Sequence, residues 1–115
     1  MYYKIEPEEE TLYETFDLTG IVGGVSRRLR LELRYLYNTD RWYVSMFDSQ
    51  SGDALCRYVP VVTSKEGPND LFEPFKSKKI GKFYCVPNID DLTSQDPRMD
   101  NISDFSLLWG DDDAE

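Results

Sequence analysis

Hydrophobic and charged residues alternate most regularly in the segment from Leu29 to Tyr35. The apolar positions are every second one: Leu29, Leu31, Leu33 and Tyr35. A period of two places alternate side chains on opposite faces of a β-sheet, whereas a helix would scatter these leucines around its circumference. The pattern therefore predicts a strand with one apolar face and one charged face.

The next segment repeats this alternation at Trp42, Val44 and Met46. The four residues at 38–41, Asn-Thr-Asp-Arg, are polar, and Asn and Asp accept the backbone angles of tight turns. The two segments therefore predict a β-hairpin whose apolar side chains share one buried face. A second turn at 48–53, which contains a glycine, leads into a third strand over 54–62.

Three further segments have the character of strands. Leu12, Phe16 and Leu18 lie on one side of an alternating pattern that only Glu14 breaks, and this pattern predicts a first strand. The glycine-rich turn 20–24 connects that strand to the hairpin. Residues 80–87 and 103–109 predict the last two strands. Long connections at 63–79 and 88–101 separate these elements.

About six short antiparallel strands, with no convincing helix, predict an all-β fold. A small antiparallel β-barrel or sandwich is the expected architecture, because either one hides sheet edges. Residues 1–11 are interpreted as an N-terminal arm and residues 12–110 as the β-domain. Residues 111–115 form an acidic tail that is too charged to fold.

The charge of the chain is strongly acidic but uneven. The net charge of −9 argues against a nucleic-acid partner and against binding to anionic membranes, since both favour a basic surface. Residues 25–47 nevertheless carry five arginines and two acids, whereas residues 1–24 carry one lysine and six acids. A basic strand in an acidic protein suggests self-association or a charged partner, and a solvated outer sheet face is the alternative.

The cysteines and the first residues of the chain bear on the cellular compartment of the protein. Cys56 and Cys85 lie in strand-like runs and are expected to be buried, reduced residues of a protein in a reducing cytoplasm. The acidic start of the chain does not resemble a signal peptide, and no run is long enough to span a bilayer.

Catalytic chemistry has little support in the sequence. The chain contains no His, so the usual nucleophilic triads are absent. Four acids cluster in one loop, Asp90, Asp91, Asp96 and Asp100, but their spacing matches no calcium loop and is ordinary turn chemistry. No metal or other cofactor is expected, and a carboxylate-only hydrolase is the one enzyme class that stays open.

A series of short motifs extends across residues 12–110. The motifs include Leu-Arg-Leu-Glu-Leu-Arg-Tyr (29–35), Arg-Trp-Tyr-Val-Ser-Met-Phe-Asp (41–48), Asp-Leu-Phe (70–72), Gly-Lys-Phe (81–83), Gln-Asp-Pro (95–97), Asp-Asn-Ile (100–102) and the closing strand 105–109. In their order and spacing they resemble the baseplate plug family of tailed bacteriophages. The resemblance implies that 12–110 is a β-barrel plug domain without catalytic activity. It also implies a virion component at the centre of the tail baseplate or tail tip, beside the hub and the end of the tube.

The partners implied are tail hub and tail tube proteins, together with copies of the chain itself. No membrane and no sequence-specific nucleic-acid binding is expected, and the protein would pass through the host cytoplasm during assembly. Seven residues are candidates for a protein interface: Arg28, Arg30, Arg34, Tyr43, Phe47, Phe72 and Phe75. For Phe72 and Phe75 the alternative is that they cap one end of the domain.

A second function is compatible with the same residues. A small acidic β-barrel module could act as an adaptor, or as an inhibitor of a basic host protein, through its acidic surface. Recovery of tail proteins would favour the plug, whereas tight binding to one basic host protein would favour the module.

Overall fold

The described part of the chain forms two antiparallel β-sheets with a shared hydrophobic core. The computed structural model describes residues 2–5, 12–22, 24–63, 70–87, 97, 102 and 105–110. The strands are β1 (Tyr2–Ile5), β2 (Tyr13–Val22), β3 (Val25–Leu36), β4 (Arg41–Asp48), β5 (Ala54–Pro60), β6 (Lys82–Pro87) and β7 (Phe105–Gly110). One sheet has the strand order β2-β3-β4-β5 and the other the order β1-β7-β6.

The arrangement is a sandwich, so of the two predicted architectures the sandwich is correct and the closed barrel is wrong. Within the described residues no hydrogen-bonded ladder joins the two sheets into a cylinder. The all-β fold class is confirmed, and the helical part of the described chain is a short 3₁₀ segment, Glu73–Lys78. No helix in this part of the chain is long and apolar enough to cross a membrane.

The central hairpin of β3 and β4 provides much of the core. Leu31 pairs with Met46 and Leu33 with Val44, and all four side chains are at most 1% exposed. The predicted common face of leucines, Trp42, Val44 and Met46 is confirmed. The alternation that was visible in the sequence is therefore the alternation of the folded sheet.

The turn between β2 and β3 is tighter than the sequence suggested. Gly20–Val22 continue β2, and Val22 pairs directly with Val25. Gly24 has a φ of +79°, which glycine adopts without steric cost. The reversal therefore occurs between the paired valines, and the predicted turn over 20–24 is too long.

The N-terminal arm predicted at residues 1–11 contains a strand. β1 pairs with β7 from Tyr2 opposite Gly110 to Ile5 opposite Leu107, and Ile5 is buried. Residues 2–5 therefore belong to the three-stranded sheet, which makes seven strands in the described chain instead of about six.

Trp109 connects the two sheets. Its ring is 1% exposed, and its indole Nε1 donates a 2.7 Å hydrogen bond to the carbonyl oxygen of Ile80. Tyr3 stacks on the ring at 6.0 Å between centroids. A Cβ at Gly20, in the opposite sheet, would lie 3.2 Å from the ring, so the glycine allows the close approach. Trp109 therefore packs β7 against the end of β2.

The connection before β6 is held by one carboxylate. The Oδ1 atom of Asp70 accepts hydrogen bonds from the amides of Phe72 and Phe83, at 2.9 and 3.0 Å. Phe72 is fully buried and packs against Phe83 at 5.3 Å between ring centroids, and Phe75 is half-buried against the core. Phe72 and Phe75 therefore cap the core, as the alternative interpretation held.

Candidate protein interface

The outer surface of the four-stranded sheet combines arginines with aromatic side chains. We call this surface the Arg face. Its residues alternate with the buried ones along β2, β3 and β4 and include the exposed part of β5. The Arg face consists of Tyr13, Thr15, Asp17, Arg28, Arg30, Glu32, Arg34, Arg41, Tyr43, Phe47, Arg57 and Tyr58. Arginines outnumber acids on it, although the whole chain has a net charge of −9.

One row of side chains crosses the Arg face through Arg34. Tyr13 and Tyr43 lie opposite Arg34 on the two neighbouring strands. The guanidinium carbon of Arg34 lies 4.6 Å from the centre of the Tyr13 ring, a cation–π contact. Arg34 also lies 3.6 Å from the carboxylate of Glu32, which accepts a 3.2 Å hydrogen bond from the Tyr13 hydroxyl. These contacts fix the side chains of the row in place.

A second row contains Asp17, Arg30 and Phe47, which are paired across three strands. Arg30 lies 3.7 Å from Asp17, and both side chains are largely exposed, so this ion pair contributes little to stability. Beside the row is a groove of about 270 Å³ lined by Tyr13, Thr15, Arg30, Glu32, Phe47, Asp48, Ser49 and Gly52. The Arg face therefore has a concave part with basic, acidic and aromatic groups at its margin.

A β-bulge in β5 adds two more side chains to the Arg face. Val44 pairs with Val59 and Met46 with Cys56, so β5 has one more residue than β4 between these pairs. As a result Arg57 and Tyr58, although consecutive, are both exposed. Arg57 covers the Phe47 ring at 5.7 Å, and Tyr58 meets Tyr43 edge to face at 6.3 Å.

The bulge is held by a buried hydroxyl. Tyr58 has a φ of +53°, which is unfavourable for a residue with a large side chain. Its amide donates a 3.0 Å hydrogen bond to the Oγ atom of Ser45, which is 4% exposed. The strained backbone is therefore compensated by a specific buried acceptor.

Asp48 shapes the turn at the margin of the groove. Its Oδ1 atom accepts hydrogen bonds from the amides of Gln50 and Ser51, at 2.8 and 3.0 Å. These bonds, with the charge of Arg27, lower the pKa of the exposed Asp48 carboxyl below its ordinary value of 3.8. The carboxylate therefore stabilises the turn above that value, and this contribution is lost as the pH falls through the lowered pKa.

The structure brings together five of the predicted interface residues: Arg28, Arg30, Arg34, Tyr43 and Phe47. For Phe72 the predicted surface position is wrong, because its side chain fills the core. Phe75 packs partly against the same core. Arg27 shares the alternation of Leu29 and is half-buried on the other side of the sheet.

Among the members of the Arg face that sequence reasoning missed are Tyr13 on β2 and Arg57 and Tyr58 on β5. The bulge had a signal in the sequence, because Cys56 and Val59 are both apolar but are separated by two polar positions. A regular strand cannot bury both, so such a break in the period of two is typical of a bulge.

The described residues contain no group of His, Cys, Asp or Glu that could hold a metal ion. The loop acids Asp90, Asp91, Asp96 and Asp100 lie outside the described residues. Cys56 and Cys85 are free and buried, and burial raises the pKa of the Cys56 thiol to about 11. A neutral thiol is a poor nucleophile, so Cys56 has the character of a core residue.

Comparison with known protein families decides between the two functions that the sequence left open. A family model described as cyanophage baseplate Pam3 plug gp18 matches residues 2–113. The chain belongs to this baseplate plug family. The resemblance seen in the sequence is thereby confirmed, and the match favours a plug over an adaptor or inhibitor of a host protein. No curated protein matches the chain.

Family membership gives the plug its general role and place. It is a structural component of the phage tail baseplate and associates with other components of the baseplate and tail. The match includes residues 2–5, in agreement with the observation that β1 is part of the folded sandwich.

Proposed function

We propose that this plug lies at the centre of the baseplate or tail tip, where it contacts the tail hub, the end of the tail tube and copies of itself. The Arg face is the contact surface, and the protein passes through the host cytoplasm before it enters the tail. Its role is structural: it fills the centre of the baseplate and joins the components around it, without catalysis.

The observation that supports this proposal is the concentration of arginines and aromatic side chains on one sheet face. Exposed charges are screened in an isolated monomer, and surface ion pairs contribute only about 0–1 kcal/mol each. In a partly dry interface the same arginines meet opposite charge, which steers docking and fixes its orientation. Aromatic anchors such as Tyr43 and Phe47 supply much of the binding energy of such interfaces.

The lack of catalysis is inferred from the chemistry available. The chain has no His. Within the described residues, the acids of the Arg face are engaged in ion pairs and hydrogen bonds with their neighbours. A structural role requires contact surface rather than a perturbed acid or base.

Charge reversal on the Arg face tests the proposal. We expect the variant R30E/R34E to remain folded, because both side chains are on the outer face, but to be incorporated less into tails. The measurement is the amount of plug that copurifies with hub and tube proteins from infected cells. K78E/K79E is the matched control, since it changes the charge equally at two exposed lysines of the 3₁₀ segment and its end. Equal incorporation of R30E/R34E and the wild type would show that the Arg face is a solvated surface.

A further inference from the structure

We propose that the Arg face binds the acidic segment Asp111–Asp113 of a second copy of this chain, and that this contact joins copies into a closed oligomer. The inference specifies one partner of the proposed contact surface and rests on the proposed function for its place in the tail. The contact itself is a property of the isolated protein.

The bulge at Tyr58 indicates that this part of the Arg face has a functional role. A non-glycine residue at φ +53° is unfavourable, and such outliers persist where the surrounding structure enforces them, often at binding sites. The bulge adds an exposed tyrosine and an exposed arginine to the sheet face. A regular strand would direct one of these two side chains into the core.

Charge decides which kind of surface the Arg face can meet. The face carries five arginines, at positions 28, 30, 34, 41 and 57, and two acids, at positions 17 and 32. If the same patch of two copies met, two surfaces with an excess of arginines would face each other, and like charges disfavour such a contact. A second copy must therefore present a different, acidic surface, and contacts between unlike surfaces generate rings when the rotation closes.

The sequence places a dense acidic run directly after β7. Gly110 ends the strand, and the next three residues are Asp111, Asp112 and Asp113. Three consecutive carboxylates have the charge, and the short side chains, to contact the arginines and the groove of about 270 Å³ beside Arg30.

The row through Arg34 lies far along the sheet from the point where the acidic run of the same chain begins. Trp109 packs against Gly20, and Gly20 lies about 23 Å along β2 from Tyr13, at about 3.3 Å per residue. The Cα atom of Asp113 can lie at most about 11 Å from the Cα atom of Gly110, since consecutive Cα atoms are about 3.8 Å apart. Residues 111–113 of another copy are under no such restriction, so we assign the acidic partner of the Tyr13–Arg34–Tyr43 row to a second copy.

The mass of the purified plug in solution, measured by light scattering at low and high salt, tests the contact. We expect a single species whose mass is a multiple of 13.4 kDa at low salt and which dissociates in about 1 M salt. R30E/R34E and D111K/D112K/D113K should each be monomeric under both conditions. The variant that combines all five changes restores opposite charges across the contact and should associate again.

Two further variants separate the contact from folding. Tyr58→Gly suits the positive φ, so it should stay folded, as circular dichroism would show, but associate at least tenfold more weakly. K78E/K79E, which makes the same change of charge at residues outside the Arg face, should associate like the wild type.

Three results would overturn the proposal: a monomeric wild type at all concentrations, no recovery in the combined variant, or loss of association in E8Q/E9Q/E10Q while the variant of residues 111–113 still associates. The last result would assign the acidic partner to the segment before Tyr13. The proposed function fails separately: an oligomer that forms in solution but is absent from tails contradicts the place in the tail and leaves the contact intact.

Discussion

At the scale of single residues, Trp109 shows how one side chain joins the two sheets. Its ring fills the space above Gly20, and its indole nitrogen satisfies the carbonyl of Ile80. A Cβ at Gly81 would lie 2.7 Å from the same nitrogen. A larger residue at Gly20 or Gly81 would therefore clash with the Trp109 ring unless the ring moved.

We expect Trp109→Phe to lower the free energy of unfolding by about 1–3 kcal/mol from the unsatisfied carbonyl alone, with a further loss from the cavity. Urea denaturation measures this change. Tyr37→Phe, at a tyrosine that is 69% exposed, is the control and should stay within about 0.5 kcal/mol of the wild type. A loss of similar size in both variants would contradict the role of Trp109.

Cys56 gives a prediction about pH. Its pKa in the folded protein, about 11, exceeds the ordinary value of 9.0 because the thiol is buried. The stability from this shift is fully present below pH 9 and is lost as the pH rises through about 11, since the unfolded chain ionises first. Thiol titration at pH 8 should show Cys56 unreactive until the protein unfolds.

No disulfide bond stabilises the fold, since Cys56 and Cys85 are both free. A reductant should leave the melting temperature unchanged. A large drop in that temperature would reveal a disulfide.

At the scale of elements, the β3–β4 hairpin is the central unit. Its apolar face is fully buried, and both of its turns are fixed by local hydrogen bonds. In the turn to β4 the Tyr35 hydroxyl donates to Asp40, and in the turn to β5 the amide of Gly52 donates to the Asp48 carbonyl oxygen. The register of the hairpin is therefore specified by the turn between β3 and β4 as well as by burial.

We expect Leu31→Ala to destabilise the protein by about 2–5 kcal/mol, because Leu31 is fully buried opposite Met46. Chemical denaturation followed by tryptophan fluorescence measures the loss. A change below about 0.5 kcal/mol would show that the hairpin face does not form the core.

At the scale of the whole molecule, the two ends of the described chain meet in one sheet. β1 and β7 pair along four residues each, so the start of the chain completes the sandwich. This pairing covers one edge of β7, and it places Tyr3 on Trp109. Residues 2–5 are therefore structural in this plug.

Two isoleucines test this arrangement. Ile5→Ala should cost about 2–5 kcal/mol of unfolding free energy, since Ile5 is 4% exposed in the core. Ile21→Ala, at an isoleucine that is 49% exposed, should change stability by less than about 0.5 kcal/mol. Equal stability of Ile5→Ala and the wild type would mean that β1 is a free arm.

The sequence alone determined which segments form the alternating strands β3 and β4 and which face most of their side chains take. Leu29–Leu33 and Trp42–Met46 were predicted correctly because a period of two is a local property of an extended chain. The same parity placed Arg30, Arg34, Tyr43 and Phe47 together on the outer face.

The tertiary structure decided what depends on pairing between distant segments. The choice of a sandwich over a barrel, the pairing of β1 with β7 and the burial of Phe72 all depend on which surfaces meet. Tyr58 joins the Arg face because one extra residue in β5 shifts the register against β4. Local alternation carries no information on such contacts, since their energy comes from groups far apart in the chain.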